Sequence, residues 1–403
     1  MDTHLGEGSD IIEAPDNTDA GKQAVIGVIK EDSDKRVALV PATLPKLQKA
    51  KLQVLVEEGA GIGASYDDVS YEKQGAQIVS RKELLARSDI IVSVKKADQE
   101  VIAFLRPGQT LIGLLQPQSD TELIQTLLQK GVTAISLDNI NRRLSRAQTM
   151  DVLSSQANIA GYKAVLVAAN EFGRYFPMFI TAAGTAKPAS VLVLGAGVAG
   201  LQAMGTAKRL GALVFGYDVR PETKSEITSV GAKFIELTDI SGSGEGGYAR
   251  ALSDEELARQ QEALNKHISR QDIVITTAQV PGKKPPLLVT EEAVKLLKPG
   301  SLLIDLAASD LGGNVALSQP DKTIITENNV KIIGAPNLPA TMAASASDAF
   351  SNNLSSLLLH ITRDAVLVID TEDDIQQGVV ICHNGKITNP SIAEKLTDKI
   401  EVN

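Results

Sequence analysis

Residues Val191–Leu201 read Val-Leu-Val-Leu-Gly-Ala-Gly-Val-Ala-Gly-Leu, an apolar strand that turns through three spaced glycines into a helix expected over Val198–Leu210. The chemistry such a pattern serves is binding a dinucleotide by its pyrophosphate. Gly195 permits the tight turn out of the strand. Gly197 removes the side chain where the phosphates would approach, and Gly200 lets helix and sheet pack closely. Ala196, Val198 and Ala199 complete the loop, and the helix N-terminus supplies N–H donors for an anion. The next strand ends at Tyr217-Asp218, eighteen residues past Gly200. A carboxylate there accepts hydrogen bonds from the adenosine ribose and repels a 2′-phosphate, which favours NAD over NADP. Two other readings stand beside it: Asp218 as a helix cap before Pro221, and Arg220 as a partner for a 2′-phosphate. Asp218, Val219 and Arg220 are thus the expected ribose-side contacts. Thr277 and Ala278, after a later strand, are expected to line the same crevice.

A second polar constellation is Arg142-Arg143-Leu-Ser145-Arg146-Ala-Gln148-Thr-Met-Asp151-Val-Leu-Ser154-Ser155. With a helix start near Ala147, Gln148, Asp151 and Ser155 share one face and Ser154 lies beside it. A capped, salt-bridged helix start accounts for the same residues. Oxidising an alcohol or amine needs a proton acceptor within hydrogen-bond reach, usually His, Lys or a carboxylate. No histidine stands between His4 and His267. Hydride exchange between two nicotinamide rings needs no such group; it needs alignment and desolvation, which Gln, Arg and Ser can provide. The glycine-rich run Ser241–Arg250 ends near Tyr248, which places one aromatic on a loop able to close over a nucleotide.

These groups must be held by a chain of 403 residues, long enough for two or three domains. Aromatics are only 3% of the chain and the net charge is −9, which argues against base-stacking surfaces and against nucleic acid and anionic lipid as partners. The single Cys382 rules out an intrachain disulfide and a cysteine metal cluster, and the four histidines show no ligand spacing. No apolar run reaches the roughly 18–20 residues of a membrane span, and the N-terminus lacks a signal-peptide pattern. A cytoplasmic location follows as the expectation. Residues 1–22, with six acidic residues and one lysine, are expected to be a disordered tail.

From Ala24 onward short β runs alternate with helical ones, the pattern of a parallel, doubly wound sheet. Expected strands are Ala24–Val28, Gln53–Glu57, Asp89–Val94, Thr110–Leu115 and Val132–Leu137, then Val191–Leu194, Ala212–Tyr217, Asp272–Thr276, Ser301–Asp305 and Lys331–Gly334. A long helix within Asn141–Phe172 links the two units, and a helix over Ala344–Thr362 returns the chain to the first. Two short β runs, Ala365–Ile369 and Gly378–Cys382, follow. The fold class expected is α/β, two Rossmann-like domains joined by long helices. One comprises residues 23–143 plus 345–403; the other, 144–344, carries the dinucleotide site.

The motif Arg143-Leu-Ser-Arg146-Ala-Gln148-Thr-Met-Asp151-Val-Leu-Ser154-Ser-Gln resembles the NAD(H)-binding component of proton-translocating nicotinamide nucleotide transhydrogenases. Lys35-Arg36-Val-Ala-Leu-Val-Pro41, Thr181-Ala-Ala-Gly184, Gly246-Gly-Tyr248-Ala and Asp305-Leu-Ala-Ala support it, and the likeness covers about residues 24–403. The resemblance implies a homodimer that binds NAD(H) and exchanges hydride with NADP(H) on a partner subunit. A membrane-spanning subunit couples the exchange to proton movement, which places this chain at the cytoplasmic face of a membrane without inserting into it. Carried over by motif, Arg143, Gln148, Asp151 and Ser154 contact or position the nicotinamide end, and Tyr248 sits on the closing loop. Alanine dehydrogenase is the related alternative; Lys95 sits near where that family uses a substrate-binding lysine, but Leu114-Leu-Gln116-Pro stands where it carries its catalytic histidine. A bare NAD(H)-sensing module is the non-enzyme alternative. Two departures from the transhydrogenase pattern are an extra residue before Gly312-Gly313 and the run Asn337-Leu-Pro339-Ala340-Thr341, which lacks the usual arginine.

Overall fold

Two sets of short, largely apolar strands set the architecture of the computed structural model, which describes residues 23–237, 254–279 and 283–401. Runs such as Val25–Val28, Ile273–Thr276 and Leu302–Asp305 are buried at every position. Such strands are stable only where helices cover both faces of a parallel sheet. The first sheet runs, across its width, Gln77–Val79, Gln53–Glu57, Val25–Val28, Ile90–Lys95, Thr110–Leu114 and Thr133–Ser136, all parallel. Val380–His383 and Lys386–Ile387 add antiparallel strands at its edge. The second runs Lys233–Phe234, Leu213–Tyr217, Ser190–Leu194, Ile273–Thr276, Leu302–Asp305 and Lys331–Gly334, with Thr323–Ile325 antiparallel at the edge. Each parallel set has the order 3-2-1-4-5-6, so each has a point where the direction of winding reverses and a crevice opens at the strand C-termini. The fold is thus a doubly wound α/β pair.

A linking helix, Val152–Glu171, joins the two. Val152 belongs to the core beneath the first sheet, whereas Ala164, Val165 and Ala168 belong to that of the second. The expected helix start near Ala147 is corrected: Ser145–Met150 is a 3-10 turn, and Asp151 caps the α-helix that follows. Ala147 and Met150 are drawn into the first core, which explains the tighter winding.

The return helix, Ala343–His360, packs Phe350, Leu354, Leu357 and Leu358 on the first core. Its buried Ser347 and Ser351 accept the backbone N–H groups of Val37 (2.9 Å) and Val40 (3.0 Å), which no strand pairs. Beyond it, Val366–Leu367 pairs only with Thr362–Arg363, so the run expected at Ala365–Ile369 is a small hairpin outside both sheets. Arg36 bolts the two halves together. Its guanidinium binds Asp34 (2.7 Å), Gln156 of the linking helix (2.8 Å) and Asn337 ahead of the return helix (3.0 Å). Burial works against charge on Asp34, but the Arg36 fork outweighs it and holds the carboxyl below its ordinary range.

Candidate functional site: a dinucleotide crevice in the second sheet

The reversal point of the second sheet lies between Ser190–Leu194 and Ile273–Thr276. The three glycines stand there, each under a different constraint. Gly195 has φ +104°, a conformation that disfavours any side chain. A methyl group on Gly200 would sit 1.8 Å from the Gly195 carbonyl oxygen, whereas one on Gly197 would meet nothing within 4 Å. The loop is therefore tight below and open above. The fingerprint helix, Val198–Arg209, starts from Gly197 with no side-chain cap. Its orphan N–H groups and positive dipole end face the open side, the requirements of a pyrophosphate. The residues present fit a dinucleotide.

Asp218 sits at the end of the neighbouring strand and is tightly held. It accepts the N–H of Ala196 (2.8 Å) and of Arg220 (3.0 Å). The Arg220 guanidinium also donates to both its oxygens, at 2.9 and 3.0 Å. Burial alone would raise its pKa; Arg220 and the two backbone donors more than offset this and keep the carboxylate ionised. The acid and the arginine that the sequence set against each other thus form one unit. Val219, between them, packs on the core.

On the other side of the crevice, Thr277 Oγ1 donates to the carbonyls of Leu194 (3.4 Å) and Gly195 (3.3 Å). Ala278 is pinned through both backbone groups by the buried Asn314, at 3.0 and 2.9 Å. Buried Asp305 accepts Thr276 Oγ1 (2.9 Å) and the N–H groups of Ala307 and Val315. Asn314 was missed by sequence reasoning, because it acts from a position thirty-six residues away. The extra residue before Gly312-Gly313 is absorbed in a turn closed by Ser309 and Gly312, which exchange backbone hydrogen bonds at 2.8 and 2.9 Å.

The polar constellation stands at the start of the linking helix. Asp151 accepts Ser154 N (2.9 Å) and Ser154 Oγ (2.5 Å), and Arg142 Nε lies 3.9 Å from it. This is the helix cap that the sequence left as an alternative. Gln148 and Arg143 are exposed; the amide of Gln148 makes no hydrogen bond among the described residues. Tyr248 and its loop lie outside the described residues, as does the tail. One contact ties the constellation to the crevice: a methyl on Gly161 would lie 2.0 Å from the carbonyl of Ala199. Linking helix and fingerprint helix therefore touch backbone to backbone in the first turn of the latter, with Asn158 bonded to Gln202 (3.1 Å) beside it. Ser154 stands two helical turns before that contact, ~10 Å along the axis.

Among the described histidines, His267 ends the helix leading into Ile273–Thr276, at the opposite end of that strand from Thr277. His360 bonds Asp373 and His383 bonds Thr133, both in the first unit. No group of three His, Cys, Asp or Glu suited to a metal occurs among the described residues, and no helix among them is long and apolar enough to cross a membrane.

Comparisons with known proteins give the chain's family. Residues 27–160 match the N-terminal domain and residues 164–390 the C-terminal domain of the alanine dehydrogenase/PNT family. An NAD(P) transhydrogenase alpha-subunit chain of Rhodospirillum rubrum is 42% identical, over 90% of this chain and 97% of its own. The crystal structure of transhydrogenase from Sinorhizobium meliloti superposes with a TM-score of 0.79 at 36% identity, over 91% of this chain and 99% of that one. Alanine dehydrogenase of Bacillus subtilis is more distant, at 27% identity over 92% of this chain and 94% of its own. The chain belongs to the alanine dehydrogenase/PNT family and, within it, stands with the NAD(P) transhydrogenase alpha subunits.

Proposed function

We propose that this chain is the NAD(H)-binding component of a Re/Si-specific, proton-translocating transhydrogenase. The observation that carries the reading is the Gly161–Ala199 contact, which packs the linking helix, at whose start the Arg143–Ser154 constellation stands, on the helix that faces the pyrophosphate. Bound NAD(H) supplies hydride chemistry at its nicotinamide ring. Gly195, Ala196, Gly197, Val198, Ala199 and Gly200 would hold the pyrophosphate, and Asp218, Val219 and Arg220 the ribose. Thr277 and Ala278 line the floor. Arg143, Gln148, Asp151 and Ser154 orient the nicotinamide end, and Tyr248 excludes water. No residue of the chain needs to accept a proton, in keeping with the placement of the described histidines away from the crevice.

NADP(H) is held by a partner subunit, and a membrane-spanning subunit couples transfer to proton movement. The chain would then sit peripherally on the cytoplasmic face of a membrane. A homodimer is supported by the hairpin Phe179–Thr181/Gly184–Ala186, which presents Tyr175, Met178, Phe179 and Ile180 to solvent, Ile180 at 77% exposure. Mixing the purified chain with NADH, an NADP analogue and membranes supplying the partner subunits tests the reading; reduction of the analogue is expected. Alanine formation from pyruvate, ammonium and NADH without membranes overturns it. NADH binding with neither activity favours a sensor.

A further inference from the structure

The turn that presents Gln148, Ser145–Met150, is weakly defined by its own bonds. It is a single 3-10 segment with no side-chain cap at Leu144, and its i→i+3 geometry is poorer than that of an α-helix. Ala147 and Met150 seat its inner side on the first core, and the C-terminal region of the chain holds its exposed side. Arg146 reaches Asp373 (3.3 Å) and Asp374 in the segment after the return helix. Asp373 is itself fixed: it accepts His360 Nε2 (2.9 Å) and the N–H groups of Ile375 (3.1 Å) and Gln376 (2.9 Å). On the opposite side Asn353 of the return helix donates to the carbonyl of Thr149 (2.8 Å). Gln148 lies between these two anchors, with an amide that bonds to no described residue, so only the backbone of the turn sets where it points.

We infer that Asp373, aided by Asp374, is a positioning residue for hydride transfer: it clamps Arg146 and thereby fixes the turn that presents Gln148. The inference rests on the function proposed above. Arg146 is about half exposed, and an exposed ion pair contributes little to global stability. Loss of the clamp therefore changes the aim of Gln148 and leaves the fold and the crevice intact.

Single-turnover transfer from NADH to partner-bound NADP analogue, alongside NADH affinity by fluorescence titration, tests this in Asp373→Asn, Arg146→Gln and the double variant. Arg146→Gln removes no core contact, so it stays informative should Asp373→Asn fold poorly. The expected result is transfer slowed roughly tenfold in each single variant, with NADH affinity within about twofold, and a double variant no slower than the worse single. Unchanged rates, additive losses, or equal losses of rate and affinity overturn the clamp. No transfer by the unsubstituted chain overturns the function itself, and the clamp's role with it.

Discussion

At the scale of single residues, Gln148 and Glu31 can be tested separately, one through rate and the other through stability. Gln148 is exposed and uncommitted, so its work is orientation. Gln148→Asn draws the amide back by one methylene; transfer is expected to slow about a hundredfold, with far less effect on NADH affinity. Equal losses in rate and affinity would make it a general binding residue. Glu31, in the loop after Val25–Val28, has a pKa raised to about 7 by burial, with Asp34 adding to the rise and the N–H of Val94 (2.6 Å), Lys95 and Arg36 opposing it. A raised folded pKa means that its contribution to stability is complete below the unfolded value and is lost as pH rises through about 7. Glu31→Gln, which cannot ionise, is expected to gain on the unsubstituted chain by ~2 kcal/mol between pH 5 and pH 8, after allowance for partial exposure. Thermal melts across that range check it, and parallel curves would contradict it. The glycine fingerprint was legible in the sequence because each glycine answers a local backbone demand. The Asp218–Arg220 fork was legible only as two competing readings, since the side-chain geometry that unites them is not written in spacing.

Among the elements, the central strands were readable from apolar runs, and their parallel pairing followed from alternation with helices; Gln77–Val79, Lys233–Phe234 and Thr323–Ile325, too short to make such a run, were not read. The start of the linking helix was misread because Ala147 and Met150 obey the first core before they obey helical periodicity. The serines of the return helix look polar in sequence yet are fully buried, because they satisfy a loop over three hundred residues away. Nothing in hydropathy could have shown it. The Gly161 contact is the element-scale link between the constellation and the crevice. Gly161→Ala should drive the linking helix off Ala199, costing roughly 1–3 kcal/mol and disturbing NADH affinity and transfer together. Melting temperature and titration report both; an unperturbed variant would break the link.

On the scale of the whole molecule, the two sheets share a winding order but only the second carries the fingerprint, while the first contributes the clamp, the Arg36 bolt and the return helix. The hairpin at Phe179–Ala186 was not read from the sequence, where Thr181-Ala-Ala-Gly184 served only as a family motif. For the homodimer proposed above, Ile180→Glu is expected to weaken self-association by roughly tenfold or more in sedimentation velocity, and an unaltered association would remove the hairpin from the proposed interface. The central claim is that hydride passes from one nicotinamide to the other with no proton acceptor on this chain. NADH deuterated on its transferable face, incubated with the chain, NADP and membranes supplying the proposed partner subunits, tests it most directly. Direct transfer requires the deuterium to appear at the nicotinamide ring of the NADPH formed, with none released to water; label lost to solvent, or found in an amino acid when pyruvate and ammonium are supplied, would contradict it.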